Sequence, residues 1–593
     1  MPTAGWGEED CSFFRTVPAI HSVLPLSASD RPLRCAHARK EGTPMTARYG
    51  PKVADQPRVP LRIAARSLLL VSSGAVRKCE KESMMAKFKK RMMKWGLSAA
   101  KVGLAASIMA APAVSAQANE FDGFDGLDFG ALVQRGLERS SQVWFGVGKP
   151  LKESAAPTSG PYRTVAQNAS TQVLLADGLK AEYVTRTAGN AADMFAFWPS
   201  DENPTHLVFC IEGDREDLGV PLPGAGVNKL NPGVQRIRLS TGSVDTLVRG
   251  TDSCDGIRRT PWGTILFTEE ASDGGAYEII DPLNVINHTI TNRTAGTIID
   301  ETGVTATKVI KRPALPTMAW EGIGILPSGV LYAGDELRPG TGTANADGGA
   351  MFKFIPVNVR TATTPITMLS ESPFAAGNVW ALQVSCQSGN QQFGQGCEIG
   401  NGAWISVSTA NARIDANTAG ATGYYRPEDL EIDEEFEGPG VRFCWTNTGN
   451  AGGKNYGEVI CGVDSAPDQA TSQRTVTVNR FVEGDADFNA PDNFAFQPKT
   501  GNHYVIEDNP NGDIFACLPD GVDRDIKTDG CVKILSVKDA SAEPTGFKFT
   551  ADGKTAYLSI QHSNDTNMPK VDDYATDDII KITGFRIPFR FQH

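Results

Sequence analysis

Three groups of residues in this chain could do chemistry together. Cys254 stands in Asp252-Ser253-Cys254-Asp255-Gly256, a few residues before Thr260-Pro261-Trp262-Gly263-Thr264-Ile265-Leu266-Phe267-Thr268-Glu269-Glu270. Much later comes Tyr425-Arg426-Pro427-Glu428-Asp429. A soft thiolate, paired carboxylates at a strand end and a guanidinium beside another carboxylate suit a polynuclear metal site acting on a phosphate ester. A Glu-Glu pair closing an apolar strand is costly to bury without a cation, which favours a metal role for Glu269, Glu270 and Glu428 over pairing with Arg258, Arg259 or Arg426. Arg426 and Glu428, two apart on an extended strand, share one face. Among other acids at strand ends, Glu212, Asp335, Glu336, Glu507 and Asp508 are candidate ligands, although such residues more often cap turns. Trp262 reads as core and His562 as a hydrogen-bonded structural histidine.

The elements that must hold these residues are strands. Short apolar or alternating runs recur along the chain, bounded by Asp, Asn, Gly and Pro, with few helical patterns between them. Many come as run, turn, run: Phe547-Lys548-Phe549-Thr550-Ala551-Asp552-Gly553-Lys554-Thr555-Ala556-Tyr557-Leu558-Ser559-Ile560 is one example, and Phe494 to Ile506 is another. Repeated over so long a stretch, this is the inner hairpin of a propeller blade. The expected fold is all-β, a six-bladed β-propeller over residues 166–593, preceded by a short N-terminal arm and connector at 117–165.

Charge and cysteines bound the setting. Residues 1–116 hold 19 Lys/Arg and 8 Asp/Glu, leaving 38 basic against 61 acidic residues, a formal −23 for the remainder against −12 for the whole chain. That surface repels nucleic-acid phosphates and favours cations. Lys87, Lys89, Lys90, Arg91 and Lys94 precede a small, apolar run from Gly96 to Val114, and Val114-Ser115-Ala116 offers small residues for cleavage, so 84–116 reads as a signal peptide. Residues 1–83 then read as a spurious or disordered extension. No later run is long and apolar enough to span a bilayer. The expected mature protein is an exported, periplasmic or secreted monomer. Eight cysteines follow the signal; in an oxidising compartment neighbour pairing gives Cys386 with Cys397, Cys444 with Cys461 and Cys517 with Cys531. Cys210 and Cys254 form either a fourth bridge or a metal thiolate and a spare thiol.

In the order and spacing of its motifs the chain resembles the PhoX-type alkaline phosphatases. Cys254, Thr260-Pro261-Trp262-Gly263-Thr264 and Glu269-Glu270 carry the likeness first, followed by Arg426-Pro427-Glu428-Asp429, Pro491-Asp492-Asn493-Phe494 and Phe549 to Lys554 leading into Gln561-His562. The resemblance implies a mixed cluster of ferric iron and calcium in the propeller mouth, with small phosphorylated substrates. Carried over, Cys254 is the iron ligand, Glu269 or Glu270 and Glu428 join metals, and Arg426 holds the phosphate. Glu212 stands where the family tends to have Asn-His-Glu, and Asp335-Glu336 resembles a calcium segment. Departures lie at Cys210, at Thr268 and in the export signal, where Lys90-Arg91 leads into Met92-Met93 instead of a twin-arginine pattern. The implied activity is hydrolysis of phosphate monoesters. Two rivals are a propeller that has lost the cluster and binds a partner, and a calcium-dependent hydrolase of another ester such as a lactone, which needs no thiolate.

Overall fold

The structure is a computed structural model that describes residues 129–588 apart from 160–161, 341–347, 385–397, 471–472, 520–529 and 564–566. The extension, the signal segment, Cys386 and Cys397 lie outside the described residues. No helix among the described residues is long and apolar enough to cross a membrane.

Six inner strands, Ala192–Trp198, Cys254–Arg259, Trp320–Ile325, Pro427–Ile432, Pro491–Phe496 and Glu543–Phe549, each open a blade. Each packs against the inner strand of the next blade and the sixth against the first, which closes a ring. Blade 2 continues outward through Thr264–Glu269, Ala276–Ile280 and Val309–Lys311, and blade 5 through His503–Glu507, Asp513–Cys517 and Val532–Val537. Neighbouring strands in both blades pair antiparallel, and the inner ones are joined by short turns such as Thr260 to Gly263, where Gly263 N donates to Thr260 O. Blade 6 draws on both parts of the chain: its outermost strand, Lys180–Gly189, pairs with Thr576–Thr583. That pairing leaves no open seam in the ring.

Strands buried on both faces read as continuous apolar runs, and their side chains fill the wedges between blades. Met194, Val208, Ile257 and Phe267 pack between blades 1 and 2. Tyr332 of blade 3 stacks on Phe443 of blade 4, which stacks on Trp445. A helix at Phe129–Arg139 contributes Leu137 to a cluster that includes Tyr504, Ile534 and Ile582 of blades 5 and 6. Trp262 is core, as expected, with Nε1 donating to Glu278. The helix Ala412–Ala419 was not anticipated from the sequence.

Polar links also cross the wedges. Lys353 of blade 3 and Asp464 of blade 4 are both fully buried, 2.6 Å apart, and Tyr332 and Trp404 donate to the same carboxylate. Cys444 and Cys461 lie opposite each other in neighbouring strands and are bonded, as are Cys517 and Cys531.

Candidate metal and phosphate centre

Each inner strand is bulged near its start. The register with its neighbour slips between Ala192 and Phe195, Trp320 and Ile323, Pro427 and Leu430, and Pro491 and Phe494, with equivalent slips in blades 2 and 6. A bulge bends a strand and re-aims a side chain. In five of the six strands the second residue, which falls in this bulge, is acidic: Asp193, Asp255, Glu321, Glu428 and Asp492. Repetition around the ring therefore converges five carboxylates on one end of the central channel. Glycines allow the close approach: a Cβ at Gly256 would meet Glu321 O at 2.1 Å, and one at Gly322 would meet Leu430 N at 1.7 Å.

The result is a crowded anionic centre. One oxygen each from Asp255, Glu270 and Glu321 lies within 4.8 Å of the others, and Glu321 belongs to a second such group with Glu428 and Asp492. No donor among the described residues reaches Asp255 Oδ1 or Glu321 Oε2, although both residues are over nine-tenths buried. Burial first, and then the charge of Asp193, pushes Asp255 well above the usual carboxylate range. Burial followed by Asp255 does the same to Glu321, and burial followed by Glu212 to Glu270. Glu428 is pushed up to about 7 by burial, against the opposing charge of Arg426. Two like charges about 4 Å apart at an effective dielectric of about 20 repel by roughly 4 kcal/mol, a cost that an arginine offsets at one corner.

That corner is Arg426, whose backbone is left-handed at φ 58°. Its Nε lies 2.5 Å from Glu336, NH2 3.1 Å from Glu428 and NH1 3.3 Å from Asp508. Thr448 donates to Glu428 Oε1 at 2.5 Å. On the opposite side of the mouth Gln561 donates to both Asp193 and Glu212, and His562, at the exposed rim, lies 3.4 Å from Glu543.

The residues singled out from sequence divide accordingly. Glu270 and Glu428 enter the carboxylate groups, Arg426 and Glu336 stand beside them, and Glu212 adjoins Asp193. Glu269 does not join them: it is buried with Arg293 Nε 2.8 Å away and accepts from the backbone N–H of Asp252 and Gly275. Asp335 is likewise held by Arg413, at 2.5 Å, and by Ala319 N. Glu507 accepts from the backbone of Asn489 and Asp513. Cys254, an iron ligand on the resemblance and otherwise a partner for Cys210 in a fourth bridge, is bonded to Cys210 of blade 1 and so carries no ligand charge. Sequence reasoning missed Asp193, Asp255, Glu321 and Asp492 as site residues. Their signal was an acid at the second position of five of the inner strands, two residues before an apolar run, as in Glu321-Gly322-Ile323-Gly324-Ile325 and Asp492-Asn493-Phe494-Ala495-Phe496.

The donor set can be tested against a mixed iron–calcium cluster. Clustered carboxylate oxygens, two of them without a donor, fit a hard cation such as calcium. A bridging thiolate from Cys254 does not fit, since its sulfur is bonded to Cys210.

Residues 231–564, more than half of the chain, match the family described as alkaline phosphatase PhoX. The chain belongs to that family. Among solved structures it is similar to Pseudomonas fluorescens PhoX in complex with vanadate, a transition state analogue, at 14% identity over 72% of this chain and 98% of that one, with a TM-score of 0.44. The PQQ-bound aldose sugar dehydrogenase of Streptomyces coelicolor follows at 12% identity, 69% and 99% coverage and 0.36. A putative gluconolactonase gives 8%, 70% and 96%, and 0.32. No curated protein matches. The family match, rather than these distant likenesses, carries the assignment, and it makes the protein a phosphatase-family hydrolase.

Proposed function

We propose that this protein is an exported, metal-dependent phosphatase that hydrolyses phosphate monoesters at the carboxylate-lined end of the propeller channel. The observation that carries the reading is the convergence of Asp255, Glu270, Glu321, Glu428 and Asp492 beside Arg426. Those five acids would hold the cation, which when bound supplies Lewis-acid polarisation of a phosphoryl oxygen.

The rest is done by the chain. Arg426 presents a planar fork to phosphate oxygens. Its tight contact from Nε to Glu336 fixes the plane, while NH1 and NH2 make the longer contacts and are the ones a phosphate can take. Thr448 orients Glu428, and the bulged backbone fixes where each carboxylate enters the channel. Three disulfides suit an oxidising compartment outside the cytoplasm.

An oxygen-only donor set also suits a calcium-dependent hydrolase of another ester class, and the sulfur-free centre favours this second reading. Family membership and the placement of Arg426 favour phosphate. Assay of the secreted chain on p-nitrophenyl phosphate, bis-p-nitrophenyl phosphate and a γ-lactone, with calcium and with chelator, separates the two. Calcium-dependent turnover of the monoester in preference to the others is expected; turnover of the lactone alone would replace the reading.

A further inference from the structure

The channel has a second end. The clustered acids stand at the second residue of their inner strands, whereas the later residues Phe197, Ile325, Ile432, Phe496 and Phe549, with Arg258 and Arg259 of blade 2, surround a cavity of about 780 Å³. Ile325, Ile432 and Phe496 are only half-buried there. Six acids and four bases line the cavity, a formal −2. Glu431 pairs with Arg258 and Lys548, and Asp201 pairs with Arg259. Glu434 is less well matched: its electrostatic neighbours are mostly other acids, and burial followed by the charge of Glu431 holds it above the usual carboxylate range.

The last described residues run onto the rim of this cavity. After the strand Thr576–Thr583 the chain turns inward, and Phe585 packs edge-on against Phe549 with ring centroids 5.0 Å apart. Ile587 Cδ1 lies 2.9 Å from the point a Cβ on Gly553 would occupy, and so does the carbonyl oxygen of Pro498, which lines the cavity with Ala551 and Asp552. Pro588 is buried, and the sequence continues Phe589-Arg590-Phe591-Gln592-His593. We propose that Phe589, Arg590 and Phe591 dock in this cavity and close the end of the channel opposite the carboxylate centre. Three extended residues span about 10 Å, enough to cross a space of that volume. Alternation puts the two phenylalanines on one side and Arg590 on the other. The rings cover the half-buried wall of Ile325, Ile432 and Phe496, and Arg590 supplies the positive charge that Glu434 is short of. The other cleft of the surface has the wrong sign for this segment, being lined by Arg135, Arg139, Lys149 and Lys152 against one acid, Glu138. Nothing in the inference draws on the phosphatase reading.

Photocrosslinking of the full chain tests the docking. With p-benzoylphenylalanine in place of Phe591, irradiation at high dilution should join the segment to its own chain, and peptide mass spectrometry should find the link on peptides carrying Ile325, Ile432 or Phe496. Arg590→Glu and Glu434→Lys should each lower the yield at least fivefold, and the two together should restore it. A chain ending at Pro588 should raise the emission of Nile red, a neutral apolar dye, at least fivefold over the full chain, and an excess of a peptide of residues 589–593 should reverse the rise. Links to other surfaces alone, links between two chains or no link would overturn the proposal, and so would equal dye emission from the full and shortened chains. The unsubstituted full chain and the shortened chain carry the dye comparison, so the result does not depend on either charge variant folding. Turnover enters neither readout, so loss of the phosphatase reading would leave this one intact.

Discussion

Two populations of buried and half-buried carboxylates differ in one respect. Glu278, Asp464, Glu458 and Asp578 are all but fully buried, and each has a basic partner: Arg312, Lys353 and Arg163 at 2.6 Å and Arg480 at 2.5 Å. Asp255, Glu270, Glu321 and Asp492 are held among one another, with their nearest electrostatic neighbours mostly other acids. Burial alone is common to both. A carboxylate with its own cation in the chain is a strut between strands or blades. Several without one, aimed at a common point, are a site whose countercharge comes from outside.

Substitution should separate the two populations sharply. Arg312→Ala strands Glu278 among Trp262 and Thr264 and should cost about 3–5 kcal/mol of stability, read as a lowered denaturant midpoint, without changing the calcium stoichiometry of whatever folds. Glu321→Gln should do the reverse. It should lower phosphomonoesterase activity at least 100-fold and weaken calcium binding, yet in chelator the variant should melt above wild type because one uncompensated charge is gone. A Glu321→Gln protein that melts well below wild type in chelator would place this residue with the struts.

Titration gives the next largest effect. The folded state holds the Glu428 proton up to about 7, against 4.5 in the unfolded chain. Between these values the native state binds more protons than the unfolded one, so stability present below about 4.5 declines as pH rises toward 7. In chelator the unfolding free energy, read from denaturant titrations, should therefore fall over that interval by an amount on the order of a few kcal/mol. Calcium should abolish the fall, and a flat profile in chelator would contradict the uncompensated charge. The smallest effect is expected from Arg426→Lys, which keeps the charge and loses the fork: KM for the monoester should rise about tenfold with the fold unchanged, by circular dichroism.

Much of this was legible in the sequence, and the rest was lost for identifiable reasons. Hairpin spacing foretold the blades because a turn between two apolar runs is a local signal. Cys444 and Cys461, facing each other across one hairpin, followed from proximity along the chain. The choice between Glu269 and Glu270 did not follow from alternation, since the bulge between Phe267 and Glu269 resets which side each residue faces. The partner of Asp335 was out of reach for another reason: Arg413 sits on the unforeseen helix Ala412–Ala419, 78 residues away. Arg426 and Glu428 do meet, though not as strand neighbours on one face, for Arg426 lies outside the strand in a left-handed conformation. Lys180–Gly189, only partly buried and without an apolar run, gives no local sign that it completes a sheet with a segment nearly 400 residues later.

That last pairing has a consequence for how the centre comes into being. A chain emerging N-terminus first carries Lys180–Gly189 early and must wait for Thr576–Thr583 before the wheel can shut. Until then blade 6 lacks its third strand, and Lys180–Gly189 has nothing to pair with in the ring. Closure of the ring is thereby deferred to the end of synthesis, and a chain ending before residue 576 should keep blades 2–5 but melt well below the full chain, read as a lowered denaturant midpoint.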